Sequence, residues 1–179
     1  MNRRPTETGR RFIGWSVSSA PHASQYASLD GFSAPQAVQI ACARNEKQSF
    51  QLVIRPQKTI LLSGIEVTAL RNAQGSLPPS HIDIRSLEYV PILRQSKSTP
   101  TNYSGRLADP MVAIESKTLG PAEGSVAYWF TVKVPAGTSA GLYRGEILIR
   151  SEARTIAQFP LELEVYGFEL PAVSPFRSS

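Results

Sequence analysis

Residues 43–54 read Ala-Arg-Asn-Glu-Lys-Gln-Ser-Phe-Gln-Leu-Val-Ile, a charged opening that gives way to strict alternation. Phe50, Leu52 and Ile54 fall on one side, and Ser49, Gln51 and Arg55 on the other, which is the period of a half-buried strand. Pro56 has no N–H to continue a ladder, so the strand is expected to end there. The pattern predicts Phe50, Leu52 and Ile54 in the core and their neighbours outside. Upstream, Val38, Ile40 and Cys42 also repeat at period two. Residues 44–47 therefore read as the turn of a hairpin, or of an adjacent-strand pair.

The same period recurs outward in both directions. Ile13, Trp15 and Val17 form a first short strand, closed by Pro21, and 22–35 read as a loop with a turn of helix around Gln25 to Leu29. Ile65, Val67 and Ala69 alternate up to the Asn72–Gly75 closure, and Pro78-Pro79-Ser80 is a turn. Ile82 and Ile84 lead into Leu87, Tyr89 and Leu93, with Pro91 marking an edge or a bulge. From Arg94 to Gly124 the period lapses for about thirty residues, a length that usually marks a functional loop or one packed on another body. Alternation returns in Tyr128, Phe130, Val132 and Val134, in Ile147 and Ile149, and in Phe159, Leu161, Leu163 and Val165. Seven to nine strands with almost no helix-period segment predict an all-β fold, an immunoglobulin-like antiparallel β-sandwich with one long loop.

With 179 residues, 41% hydrophobic and 18% charged, the chain has room for one domain with a real core. Residues 1–11 read as a disordered basic tail, 12–171 as the sandwich and 172–179 as the start of a linker. No run approaches the ~20 apolar residues of a membrane span. The formal net charge of +5 comes largely from Arg3, Arg4, Arg10 and Arg11 against Glu7, and no basic stripe interleaves with aromatics, which argues against nucleic acid. The apolar run after Arg10-Arg11 is short and broken by Gly14, Ser16 and Ser18, so no signal peptide is predicted. Cys42, the single cysteine, falls in phase with Val38 and Ile40 and reads as a buried hydrophobe.

Four segments, in order, carry a family resemblance. The 43–54 stretch resembles the ARNE-x-x-SFQLV segment near the start of the N-terminal domain of glycoside hydrolase family 123 and its relatives. Leu87-Glu88-Tyr89-Val90 resembles that domain's EYV strand, and Ala108-Asp109-Pro110-Met111 resembles its PDPL loop. Trp129-Phe130-Thr131-Val132 through Val134-Pro135, followed by Ala140-Gly141-Leu142-Tyr143-Arg144-Gly145, resembles its W-x-T-V-x-VP and AG-x-Y-x-G hairpin. The match runs from about Trp15 to Pro171. It implies a β-sandwich that precedes a TIM-like barrel, where an adjacent Asp-Glu pair hydrolyses N-acetyl-β-galactosaminides with help from the substrate's acetamido group. This chain contains no Asp-Glu dipeptide, so no catalytic residue carries over. Residues 168–177 resemble the linker into that barrel. The implied partner is therefore a catalytic barrel of the same or a downstream polypeptide, and a periplasmic or secreted location is allowed.

The residues themselves offer little chemistry. Glycoside hydrolysis ordinarily needs two carboxylates across a cleft. Glu162 and Glu164 share a strand face, where two carboxylates are usually just solvated. His22 and His81 have no cysteine or carboxylate at metal-ligand spacing, so neither a metal nor a cofactor is expected. Gly141 and Gly145 read as turn glycines, and Tyr143 between them as a tyrosine corner. Trp129 falls out of phase with Tyr128 and Phe130, which takes a large indole out of the main core. With Tyr103, Arg106 and Asp109 of the long loop, it is the candidate for a domain interface or a carbohydrate platform. The expected role is a non-catalytic domain docked beside the barrel; the competing one is an independent carbohydrate-binding module.

Overall fold

The alternating set Phe50, Leu52 and Ile54 lines the inner face of β3 (Glu46–Pro56), each side chain at most 2% exposed. The computed structural model describes residues 12–18, 37–92 and 105–172, and for 12–18, Ile92 and Gly105 the backbone alone. The 1–11 tail, the 22–35 loop with its turn of helix, Leu93, Tyr103 and the linker from 173 onward lie outside the described residues, as does the side chain of Trp15.

Two sheets face each other. The first runs β1 (Phe12–Ser18), β3, β11 (Val126–Val134), β8 (Ile82–Ile92) and β9 (Gly105–Val112), all antiparallel. The second runs β2 (Val38–Arg44), β13 (Arg154–Glu169), β12 (Gly141–Ser151), β6 (Leu70–Arg71) and β7 (Ser76–Leu77), with β5 (Gly64–Val67) also on β12. β4 (Ile60–Leu62) and β10 (Lys117–Leu119) form a separate short ladder. The protein is thus an all-β sandwich, with thirteen strands among the described residues. Apart from β9, the additional strands are two- and three-residue pieces, too short to show a period.

The core is built by opposed alternation. Tyr128, Phe130, Val132 and Val134 of β11 face Ile147 and Ile149 of β12 and Leu161 and Leu163 of β13, all fully buried. Phe50 and Phe130 stand directly opposite across β3 and β11, and their rings stack with centroids 4.7 Å apart. Tyr143 is buried and its hydroxyl donates to the Ser139 carbonyl at 2.9 Å, the tyrosine corner expected from the sequence. Gly141 has φ +129°, which only glycine adopts freely. Gly145 differs from expectation, since close approach, not backbone angle, requires it. A Cβ there would lie 2.6 Å from Leu70 Cδ2 and 3.0 Å from Thr68 Oγ1.

Three expectations are corrected. First, β2 and β3 are not a hairpin or a neighbouring pair. The chain turns at Asn45 (φ 61°), and Glu46 Oε2 accepts the Ala43 N–H at 2.6 Å, but β2 then runs parallel to β13 in the opposite sheet. Val38 and Cys42 approach the common core from one wall and Phe50 from the other. A period of two marks an inner face without saying which wall it belongs to.

Second, Gln51 is not outside. It is 2% exposed, because β3 lies between β1 and β11 and its outer face is also covered. Val53, Leu87, Ala108 and Ala127 make a small second cluster there, with Tyr89 and Trp129 packed against it.

Third, the aperiodic 94–124 stretch is a loop only in part. From Gly105 it contains β9 and β10 and a one-turn 3-10 helix at Pro121–Glu123. Among the described residues β9 pairs with β8 alone, and an edge strand tolerates a proline and a broken period.

Candidate functional site

The sequence candidates do not converge. Trp129 is half-buried on β11, opposite Gln51 on one side and Arg85 on the other, and its indole N–H donates to Thr131 Oγ1 at 3.2 Å. Arg106 is exposed on β9 opposite Pro91, and its guanidinium donates to the Tyr89 carbonyl at 3.1 Å. Arg85 and Pro91 are six residues apart on β8, about 20 Å at a strand's rise per residue, so Trp129 and Arg106 share no single small site. Asp109 is exposed, and with Pro110 it forms a bulge in which two residues of β9 stand against Glu88 alone on β8.

Glu88 is the better-built carboxylate, though in the sequence it stands out only as part of the EYV-like strand. It accepts from Lys117 Nζ at 3.3 Å and Ser86 Oγ at 3.4 Å, and clefts of about 380 and 350 Å³ open on either side. Two phenols lie under its influence. Burial first, and the Glu88 charge second, push the Tyr89 hydroxyl up to about 12 and raise that of Tyr128 further still. Both hydroxyls are buried with no hydrogen-bond partner among the described residues, and burial keeps them protonated. Each cleft has a second carboxylate in its lining, Glu123 in the larger and Glu115 in the smaller, and Glu123 accepts the Gly120 N–H at 2.7 Å.

Glu162 and Glu164 line a groove of about 420 Å³ on the outer face of β13, with Gln39, Ala41 and Leu142. Glu162 is not placed as a proton donor. Gln39 Nε2 and Arg144 Nε each donate to it at 3.0 Å, and these bonds hold its carboxyl below the usual glutamate range, opposite to the shift a general acid needs. Among the described residues no cluster of three or more His, Cys, Asp or Glu is spaced to hold a metal ion, and no helix is long and apolar enough to cross a membrane.

A further group sits where the sequence showed only a turn. Arg44 Nη2 donates to the Gly167 carbonyl at 2.7 Å, Asn45 Nδ2 donates to the Leu170 carbonyl at 2.9 Å, and the Leu170 N–H returns to the Arg44 carbonyl at 2.9 Å. The turn in the 43–54 stretch therefore holds the last residues of β13. More than 120 residues separate the partners, and no local pattern could reveal the contact.

Comparison with known proteins adds the lineage. The 15% identical chain of a family 123 glycoside hydrolase from Clostridium perfringens, described in terms of glycolipid glycan hydrolysis, superposes with a TM-score of 0.74. The superposition covers 90% of this chain and 28% of that one, and at this identity it bears on the fold alone. The macrocyclisation protein AvmM of alchivemycin A biosynthesis (6% identity, 93% of each chain, TM-score 0.40) and the secreted serine protease VesC of Vibrio cholerae (11%, 71% of this chain and 21% of that one, 0.35) are too remote to carry an argument. No curated protein matches the chain. The family model described as the glycoside hydrolase 123 N-terminal domain matches residues 31–151, which include the 43–54 stretch, the Glu88 strand and the Tyr143 corner. The chain belongs to the glycoside hydrolase 123 N-terminal domain family.

Proposed function

We propose that this chain is a non-catalytic accessory domain of an N-acetyl-β-galactosaminidase-like glycoside hydrolase, docking beside a catalytic TIM-like barrel and supporting it. The observation that carries this reading is one of proportion: the chain belongs to a family's N-terminal domain and spans 28% of the length of the family 123 hydrolase it superposes on. The local chemistry agrees. Glu162 is committed to Arg144 and Gln39, and Glu88 to Lys117, so neither is free to work as half of an acid and base pair. The division is 12–171 for the sandwich and 172–179 for the start of the link to the barrel.

The test is turnover. The purified chain is expected to release no chromophore from an aryl N-acetyl-β-galactosaminide, and turnover that disappears in Asp109→Asn would overturn the reading. The competing role, a carbohydrate-binding module, needs Trp129 as a stacking platform. Its indole N–H already bonds Thr131, and its ring packs on the second cluster. In a Trp15→Phe background, N-acetylgalactosamine oligosaccharides are expected to leave Trp129 fluorescence unchanged. A saturable change abolished by Trp129→Ala would favour the module.

A further inference from the structure

We infer that the domain following this one in the family docks on the overhanging end of β13, around the stacked pair Tyr166 and Phe168. The inference rests on the accessory role proposed above. β13 outruns β12, while on its other side it meets β2 again at the Glu169 and Arg44 pair. Its ladder with β12 ends at the Val165 and Gly141 pair, and its ladder with β2 is interrupted between Val165 and Glu169. Tyr166, Gly167 and Phe168 therefore extend past the last β12 partner.

An overhang that covers no core would ordinarily fray. This one is tied down by three hydrogen bonds to Arg44 and Asn45. What the bonds hold in place is apolar and bare: Tyr166 is 40% exposed and Phe168 57% exposed, with their rings parallel and 5.6 Å apart. Leu142 stands opposite Glu164, one step along the same face, and Leu170 follows at the exit; both are exposed. Four of the seven exposed large apolar side chains among the described residues thus gather around the end of β13, two on it, one on β12 and one just past it. Such a concentration marks an interaction surface more than ordinary scatter.

The occupant follows from where the patch lies. In the family this domain is N-terminal, so the polypeptide leading to the remaining body of the protein leaves along β13 and passes the patch. Glu164 and Glu169 flank the rings and are exposed, which fits an apolar surface rimmed by lysine or arginine. A sugar fits less well, because each ring already covers a face of the other.

The experiment measures association of this 179-residue chain with the separately expressed catalytic polypeptide encoded C-terminal to it or next to it, by isothermal titration calorimetry. Tyr166→Ser with Phe168→Ser is expected to weaken association at least tenfold. Met111→Ser with Val112→Ser, an equally exposed apolar pair on β9, is expected to leave it unchanged. Matched thermal melts, and Phe168→Lys as a single replacement, separate lost docking from lost folding. Weakening by the β9 pair or by Trp129→Ala, with the β13 pair silent, would overturn this surface and leave the accessory role standing. No association of the unmodified chain would overturn the accessory role and this inference with it. Saturable binding of an N-acetylgalactosamine disaccharide, lost in the β13 pair, would reassign the patch to sugar.

Discussion

Replacing Phe50 by alanine tests the packing on which the sandwich depends. Phe50 is 2% exposed, and its ring lies 4.7 Å from that of Phe130 with 9° between the planes, the two residues being direct cross-strand partners. Truncating a buried phenylalanine costs about 3–5 kcal/mol, from lost transfer energy and the cavity left behind. The aromatic pair accounts for about 0.5–1.5 kcal/mol of that. Phe50→Leu, which keeps most of the volume and loses only the pair, should therefore cost about 1–1.5 kcal/mol. With a urea m-value of about 2 kcal/mol per molar, Phe50→Ala moves the unfolding midpoint down by about 2 M. Gln51→Ala is the internal control. Gln51 is equally buried but its Oε1 has no partner among the described residues, so truncation removes no described bond to it and should cost under about 1.5 kcal/mol. Equal losses at positions 50 and 51 would refute the strand phase, and a loss below about 1 kcal/mol at Phe50 would refute the stacked core.

Three further outcomes are expected. Gly145→Ala drives a methyl to within 2.6 Å of Leu70 Cδ2 and should cost about 1–3 kcal/mol in a denaturant melt, whereas Gly137→Ala, with open space around it, should cost under about 0.5 kcal/mol. The Cys42 thiol is pushed up to about 12, first by burial and then by the Glu46 carboxylate, so the folded state keeps a proton that the unfolded chain releases from about pH 9. That contribution to stability is complete below pH 9 and falls away as pH rises toward 12. Cys42→Ala should flatten this alkaline limb of the pH profile, and thiol reagents should modify Cys42 only on unfolding. Asn45→Gly keeps the positive φ and deletes the bond to the Leu170 carbonyl. Exchange of the Leu170 amide should accelerate several-fold while core amides do not change.

Much of the fold was legible because an inner face repeats every second residue, and β3, β11, β12 and β13 all keep that period. Sheet membership was not legible. Val38, Ile40 and Cys42 look like the hairpin partner of Phe50, Leu52 and Ile54, yet the two strands sit on opposite walls, a choice made by the distant ladder between β2 and β13. β9 escaped because an edge strand holding Asp109-Pro110 in a bulge has no alternation to show. Gln51 misled because polar residues on a covered outer face look like solvent-facing ones. The sequence placed Trp129 outside the main core, but grouped it with Arg106, which stands about 20 Å away along the sheet. Arg44 and Asn45 read as a turn, and their grip on Gly167 and Leu170 depends on tertiary contact alone.

The central claim is that this domain serves a catalytic body without performing catalysis. The most direct measurement is hydrolysis of an aryl N-acetyl-β-galactosaminide by three samples: this chain, the separately expressed catalytic polypeptide, and the two mixed. The account predicts no turnover from this chain and a catalytic polypeptide that is more active or more heat-resistant once the chain is added. Turnover by this chain alone, or a mixture indistinguishable from its separate parts, would contradict it.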